Sequence, residues 1–407
     1  MLFPSTIALS ERRGLLANPS YLRLWFAGGV GNAMRWLELL VAGIFTYDVT
    51  HSAFLVAVVI VARTLPMLFI GAIAGLVGEA LNRKRILLTQ LAVLAGSSAV
   101  LCGLALSGWL QVWHVAVAGI VTGIVWTAEM AVRRRMIGEV VASDQIVPAV
   151  AFDSLTNSVA RVVGPLAGGA AFERLGLGGA YFLSAMLYLA ACFVVGGLRF
   201  QQQPRPLRLH RLTADLAEGL AVARSYPAIF GVVLVSIVMN VFGFSYSALI
   251  APIGLDGFRV SPTLVGALAA AEPIGAIAIG TALSAGWLRL DGSRALLRGS
   301  LLFLVGVVGM ALSPWYGLAF VMLLMGGLGT AAFSNMQTTL ILVEAPVAMR
   351  SRVMGIVTMC IGTGPLGVLA AGMLSEWLGP ALAVLMMAGF GLAGLGLVWT
   401  HLLRGRA

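Results

Sequence analysis

The sequence predicts an all-α membrane protein with twelve transmembrane helices in two six-helix bundles related by pseudo-twofold symmetry. Three observations carry that expectation. Of 407 residues, 60% are hydrophobic and only 10% charged, with a mean hydropathy of +0.98, whereas a soluble domain spends about 25% of its residues on Asp, Glu, Lys and Arg. Apolar runs of about 20 residues, the length that crosses a bilayer as a helix, recur twelve times. The longest polar stretch, 201–226, divides those runs six and six.

The runs fall at 21–47, 53–79, 86–108, 112–136, 146–171, 179–198, 227–251, 262–286, 294–313, 316–341, 350–376 and 380–402. An even number places both termini on one side, and the basic residues choose the side, because Lys and Arg of short loops stay cytoplasmic. Of 26 basic residues, 21 lie at the termini or in the even-numbered connections, which hold Arg83-Lys84-Arg85, Arg133-Arg134-Arg135, Arg199 to Arg224, Arg289 to Arg298, Arg350 and Arg352. Arg174 and Arg259 lie in the opposite set, and Arg35, Arg63 and Arg161 fall inside runs. Both termini are therefore expected in the cytoplasm. The net charge of +10 reads as a rim beside anionic lipid head groups, so membrane lipid is an expected partner and nucleic acid is not. Fifty glycines and 15 prolines suit closely packed transmembrane helices. Residues 1–20 hold no short apolar core before a small-residue cleavage site, so no signal peptide is expected. Cys102, Cys192 and Cys360 sit singly in apolar runs and offer neither a disulfide framework nor a metal site.

The expected domains are a bundle over 1–200, a cytoplasmic linker over 201–226 and a second bundle over 227–407. An internal repeat supports the division. An offset of 209 superposes Ser52 on Ser261, Leu55-Val56 on Leu264-Val265, Ala62 on Ala271, Gly71 on Gly280 and Arg85 on Arg294; an offset of 200 superposes Gly164-Pro165-Leu166 on Gly364-Pro365-Leu366. Two echoes in corresponding runs argue for duplication.

The turn between the second and third runs carries Gly75, Glu79, Ala80, Arg83, Lys84 and Arg85, close to a pattern Gly-x-x-x-Asp-Arg-x-x-Arg-Arg/Lys-Arg/Lys. With Asn157 to Pro165 and Arg352-Val353-Met354-Gly355, it makes the chain resemble the major facilitator superfamily, in particular the branch of the enterobactin exporter and related multidrug exporters. Ala80 departs from the pattern's first arginine. The resemblance implies two bundles that rock about a site near the bilayer midplane, a bacterial inner-membrane location, a monomer, and a siderophore or drug-like cargo.

Residues able to do chemistry are few. Lys84, the only lysine, lies in Arg-Lys-Arg and not in a Gly-Lys-Ser/Thr phosphate loop. His51, His114, His210 and His401 lack the i, i+4 pairing of a zinc helix, and no nucleophile elbow is present. Neither an enzyme, a metal nor a cofactor is expected. What stands out is charge at mid-depth, which marks function by default in a membrane. Arg35 and Glu38, three apart, either neutralise each other or face the central cavity. Arg63, with Pro66, maps at offset 209 onto Glu272, with Pro273; the two can attract between bundles or each pair within its own half. Arg161 and Asp153 share a helix face. Glu129 and Arg133, i, i+4 partners, belong with Gly75, Glu79, Arg83, Lys84 and Arg85 in a cytoplasmic gate. Trp36, Asn240, Tyr246, Asn335 and Gln337 are candidate cavity residues, as are the aromatic side chains of Trp126 and Phe242.

A carboxylate that alternates between a low-dielectric surrounding and an arginine partner can load and release a proton, which makes Glu38 and Glu272 the candidate proton carriers. Three arginines against two glutamates at mid-depth favour an anionic or acidic amphipathic substrate. The resulting reading is a secondary transporter exchanging a small organic molecule for protons by alternating access. An importer of an iron chelate, nutrient or ion, and a scaffold or receptor that transports nothing, are the competing readings; a scaffold would gain nothing from the insertion cost of these charges.

Overall fold

A computed structural model describes residues 14–80, 82–198, 200, 212–284 and 292–404. Among the described residues the regular structure is helical, and nine helices are long and apolar enough to cross a membrane. The chain separates into two compact units, one of Met1–Val41 with Ala62–Arg208 and the other of Ala42–Val61 with Leu209–Ala407. The helical hairpin over 42–61 thus packs with the C-terminal residues.

The first unit is built on α1 (Pro19–Thr50), α2 (Ala53–Ala80), α3 (Arg83–Leu106), α4 (Val112–Val140) and α5 (Ile146–Gly196), α1 and α2 sending their facing ends into the second unit. Asn82 caps α3 by accepting a hydrogen bond from the Arg85 amide at 3.1 Å, the short-polar-residue start that helices prefer. At about 1.5 Å per residue, the 51 residues of α5 exceed the roughly 30 Å hydrocarbon layer more than twofold. The chain turns instead at Gly176, whose φ of 68° and ψ of −177° suit glycine far better than any L side chain. The fifth and sixth apolar runs are the two arms of that bend.

The second unit adds α6 (Leu212–Ser225), α7 (Pro227–Val238), α8 (Pro262–Ser284), α9 (Gly292–Leu312), α10 (Tyr316–Glu344), α11 (Arg350–Ile361), α12 (Gly364–Leu378) and α13 (Pro380–Arg404). Two expected spans differ from regular helices. After α7 the backbone winds through wide and tight turns from Met239 to Gly257, carrying the span beyond its expected end at 251; irregular winding of this kind recurs at functional positions. The run 350–376 breaks at Gly362 and Thr363, because Pro365 lacks an amide donor and disfavours helical geometry just before it. Pro165, in the matching Gly-Pro-Leu, stays inside α5.

The internal repeat extends to packing. A Cβ on Gly123 of α4 would stand 2.0 Å from the Arg63 carbonyl oxygen, and one on Gly327 of α10 would stand 2.1 Å from the Glu272 carbonyl oxygen. The two charged residues paired by the 209-residue offset are thus held in the same way, each with its backbone pressed on a glycine of the helix two further along. Only the absence of a side chain permits that approach.

Where the hairpin joins the second unit, the contacts are polar at the rim and apolar beneath. The Tyr47 hydroxyl donates to Asp256 Oδ2 at 2.5 Å across 209 residues of sequence. Ser52 Oγ donates to Glu376 Oε1 at 2.6 Å, and the Phe54 amide donates to the same oxygen at 3.0 Å. The anionic Glu376 thus sits on the N-terminus of α2, where the helix dipole favours it. Ala57, Val61, Ala248 and Val368 form the apolar cluster.

Gly327→Val and Gly123→Val are expected to lower the melting temperature in detergent markedly, since overpacking against backbone costs about 1–3 kcal/mol or more. Gly138→Ala, with open space around its Cα, should leave it within error in the same assay. Glu376→Ala should cost about 1 kcal/mol, the usual penalty for a lost helix cap, read as a smaller drop.

Candidate functional site

Glu38 is buried within the first unit, and its partner is Arg63 of α2, not the neighbouring Arg35. Arg63 Nη2 lies 3.6 Å from Glu38 Oε2, with both side chains nearly closed off, and Ser98 of α3 donates from Oγ to Glu38 Oε1 at 2.7 Å. Tyr181 and Tyr188, beyond the bend of α5, lie close enough to feel the Glu38 charge. Ser184 and Arg63 also face the Glu38 carboxylate, and among the described residues Tyr188 Oη is buried without a hydrogen bond, at a cost of about 1–3 kcal/mol. A buried ionisable pair beside such a hydroxyl is weak support for stability, which points to function.

Arg35 has a different environment. Its guanidinium carbon stands 4.3 Å from the ring centre of Trp126 and 5.6 Å from that of Trp36, and the guanidinium carbon of Arg161 stands 5.5 Å from the Trp36 ring centre. Among the described residues Arg35 makes no hydrogen bond or ion pair, although it lies within the field of Glu129. Inserting an arginine at mid-depth costs at least about 2.5–3.5 kcal/mol, and a cation–π contact returns about 0.5–2 kcal/mol. Two such contacts return about 1–4 kcal/mol, comparable with that cost, and the field of Glu129 adds to them.

Arg133 ties together one end of the first unit. It donates from Nε to Glu129 at 3.1 Å and grips Asp153 through both terminal nitrogens. Its guanidinium crosses Gly28 of α1, where any Cβ would collide with Nη1. The partner of Asp153 is thus Arg133 on α4, and Arg161 stands beside Trp36. Nearby, Arg83 pairs with Glu139 of α4, and Lys84 donates to the Gly196 carbonyl at 2.9 Å. The Arg85 side chain is exposed, while Gly75 and Glu79 lie outside the residues whose side chains are described.

In the second unit Glu272 is buried within α8. Gln337 donates to Ser236 Oγ at 2.6 Å, Asn240 to the Ser236 carbonyl at 2.8 Å and Asn335 to the Ala331 carbonyl at 2.8 Å. Each of these amides donates one hydrogen bond within its own unit. Tyr246 is buried with its ring 5.9 Å from Phe303, and Phe242 packs on Phe390.

Sequence reasoning missed Ser98, Ser184, Tyr188, Glu139 and Asp256, because small hydroxyls and residues at the ends of runs carry no spacing signal. The exception is Asp256, which the repeat offset links to Tyr47.

Residues 14–404 match the family model described as transmembrane secretion effector. No curated protein sequence matches. Solved structures match over almost the whole chain at low identity: a bacterial homologue of the human lysosomal transporter Spinster, inward-facing and unoccupied, has a TM-score of 0.73 at 15% identity, covering 94% of this chain and 97% of that one. The nucleoside transporter NupG has a TM-score of 0.68 at 15% identity, covering 94% and 98%, and a POT family transporter in complex with 5-aminolevulinic acid 0.73 at 12%, covering 94% and 96%. At these identities the likeness is one of fold. The chain is an integral membrane protein that belongs to the transmembrane secretion effector family of major facilitator superfamily transporters.

Proposed function

We propose that this protein is a proton-coupled exporter of a small organic molecule, working by alternating access between two six-helix bundles. The observation that carries the reading is Glu38, an ionisable group buried in the membrane beside Arg63, Ser98 and Ser184. In this reading Arg63 holds Glu38 ionised. When Arg63 moves away, the carboxylate takes up a proton, and the return of the guanidinium expels it. Ser98 stays bonded to the carboxyl in either form, since a hydroxyl both donates and accepts.

The twelve-span count takes α5 as two spans about Gly176 and adds α1 and α2 to the helices that are apolar enough on their own. Glu272 is the second proton carrier, held by Gly327 as Arg63 is held by Gly123. The contacts of Tyr47 with Asp256 and of Ser52 with Glu376 serve as an outer latch that opens once per cycle. The outward direction draws on the family's description as a secretion effector, and a siderophore or drug-like cargo on the likeness to the enterobactin-exporter branch. The bacterial inner membrane, cytoplasmic termini and a monomer belong to the same reading.

Removing one partner of a buried pair is strongly destabilising, by about 3–5 kcal/mol, whereas replacing both can be neutral. Glu38→Gln and Arg63→Met should therefore each lower the melting temperature, and the double variant should recover most of the loss. In proteoliposomes the double variant and Glu272→Gln should each fail to dissipate an imposed pH gradient when a panel of organic acids and drug-like cations is added, while the wild type responds to at least one member. A wild-type response preserved in both variants would remove these carboxylates from the mechanism. Tyr47→Phe with Glu376→Gln should leave coupling intact and change the turnover rate.

A further inference from the structure

We infer that Arg35, Trp36, Trp126 and Arg161 form a subsite for an organic anion, a molecule with a carboxylate or comparable oxyanion head on an apolar body. The inference deepens the transport reading by naming the chemistry of the cargo, and rests on that reading only in treating the bound molecule as cargo.

Position comes first. The apolar exterior of α4 is marked by Val117, Ile120 and Ile124, all at least two-fifths exposed. Trp126 follows Ile124 by two residues, about 200° around the helix at 3.6 residues per turn, and so projects from the opposite face. On α5 the exposed Val159 and Val163 flank Arg161 at the same two-residue spacing, which turns Arg161 away from the exterior as well. Trp36 is fixed on α1 where Gly164 of α5 lets the two backbones close, a Cβ on that glycine falling 2.5 Å from the Trp36 Cβ. Four side chains from three helices thus converge on the inner side of the unit, and all four remain half-buried.

The donor inventory follows. Arg35 offers five N–H donors in a planar fork, and among the described residues its guanidinium has two indole faces and no acceptor. Trp36 Nε1, a donor only, is buried without a partner. Glu38, three residues on, is taken by Arg63 and Ser98, and Glu129, whose field reaches Arg35, is hydrogen-bonded to Arg133. The nearest carboxylates are thus engaged elsewhere. The group that satisfies a guanidinium edge and an indole N–H together is an acceptor-rich anion, because the fork matches a carboxylate in two-pronged geometry. The indole faces not covered by guanidinium supply an apolar wall for the body attached to that head.

Equilibrium dialysis of the full-length protein in detergent, against protein-free micelles, tests this with two probes that share one ring system and differ in charge: 1-naphthoate and 1-naphthylmethylammonium. The wild type should hold the anion at least about tenfold more tightly than the cation, a preference of about 1.4 kcal/mol. Arg35→Gln should erase the preference. Arg35→Lys should retain part of it, since the charge stays while the fork is lost. Trp36→Phe, which keeps a ring and removes the N–H, should weaken the anion several-fold and leave the cation unchanged. Equal binding of both probes to the wild type, or a preference that survives Arg35→Gln in protein of wild-type melting temperature, would overturn the subsite. If Arg35→Gln does not fold, an unchanged anion affinity in Trp36→Phe and Arg35→Lys would overturn it equally. Dialysis needs no gradient, so lost preference with proton flux intact counts against the subsite alone, and retained preference without flux counts against transport.

Discussion

The ion pair of Glu38 and Arg63 is the constraint around which the first unit is arranged. A lone carboxylate or guanidinium in hydrocarbon is costly, and the pair meets only because α1, α2, α3 and the second arm of α5 bring their polar side chains to one point. Arg63 reaches Glu38 from a backbone fixed against Gly123, and Ser98 reaches it from α3. The partner chosen decides what is left over. With Glu38 committed to Arg63, Arg35 is released to the indoles of Trp36 and Trp126, so one pairing separates a group suited to protons from a group suited to an anion.

The same device recurs at the 209-residue offset of the sequence repeat. Arg63 and Glu272 have opposite charge, yet each has its carbonyl seated on a glycine of the helix two further along. Packing of this kind holds backbones close without fixing them through side-chain bonds. The repeat also diverges where function would differ. The Gly-Pro-Leu of α5 lies in an unbroken helix, while that at the start of α12 follows a break at Gly362 and Thr363.

Much of the fold was legible because a bilayer enforces length and apolarity, and twenty-residue runs leave few alternatives. The bend at Gly176 lay between two runs already separated at 171 and 179. The irregular winding from Met239 to Gly257 was not legible, since its residues are as apolar as those of a helix. At the site, the identity of the charged residues could be read from cost alone, but their partners could not. Spacing shows neighbours three or four apart on one helix, so it offered Arg35 to Glu38 and Arg161 to Asp153. The contacts run between helices instead, to Arg63 and to Arg133. Tyr47 and Asp256 lie 209 residues apart, the offset of the repeat itself, so that contact was available to a reading that asked which equivalent positions can touch.

The central claim is that Glu38 gains and loses a proton within the membrane as Arg63 leaves and returns. Infrared difference spectroscopy of the reconstituted protein, recorded across a pH step, reads this through the carbonyl stretch of a protonated carboxyl. In a Glu272→Gln background, which removes the second proton carrier, the account predicts such a band and its loss when Glu38→Gln and Arg63→Met are added. No band in that background, or the same band after Glu38 and Arg63 are replaced, would contradict it.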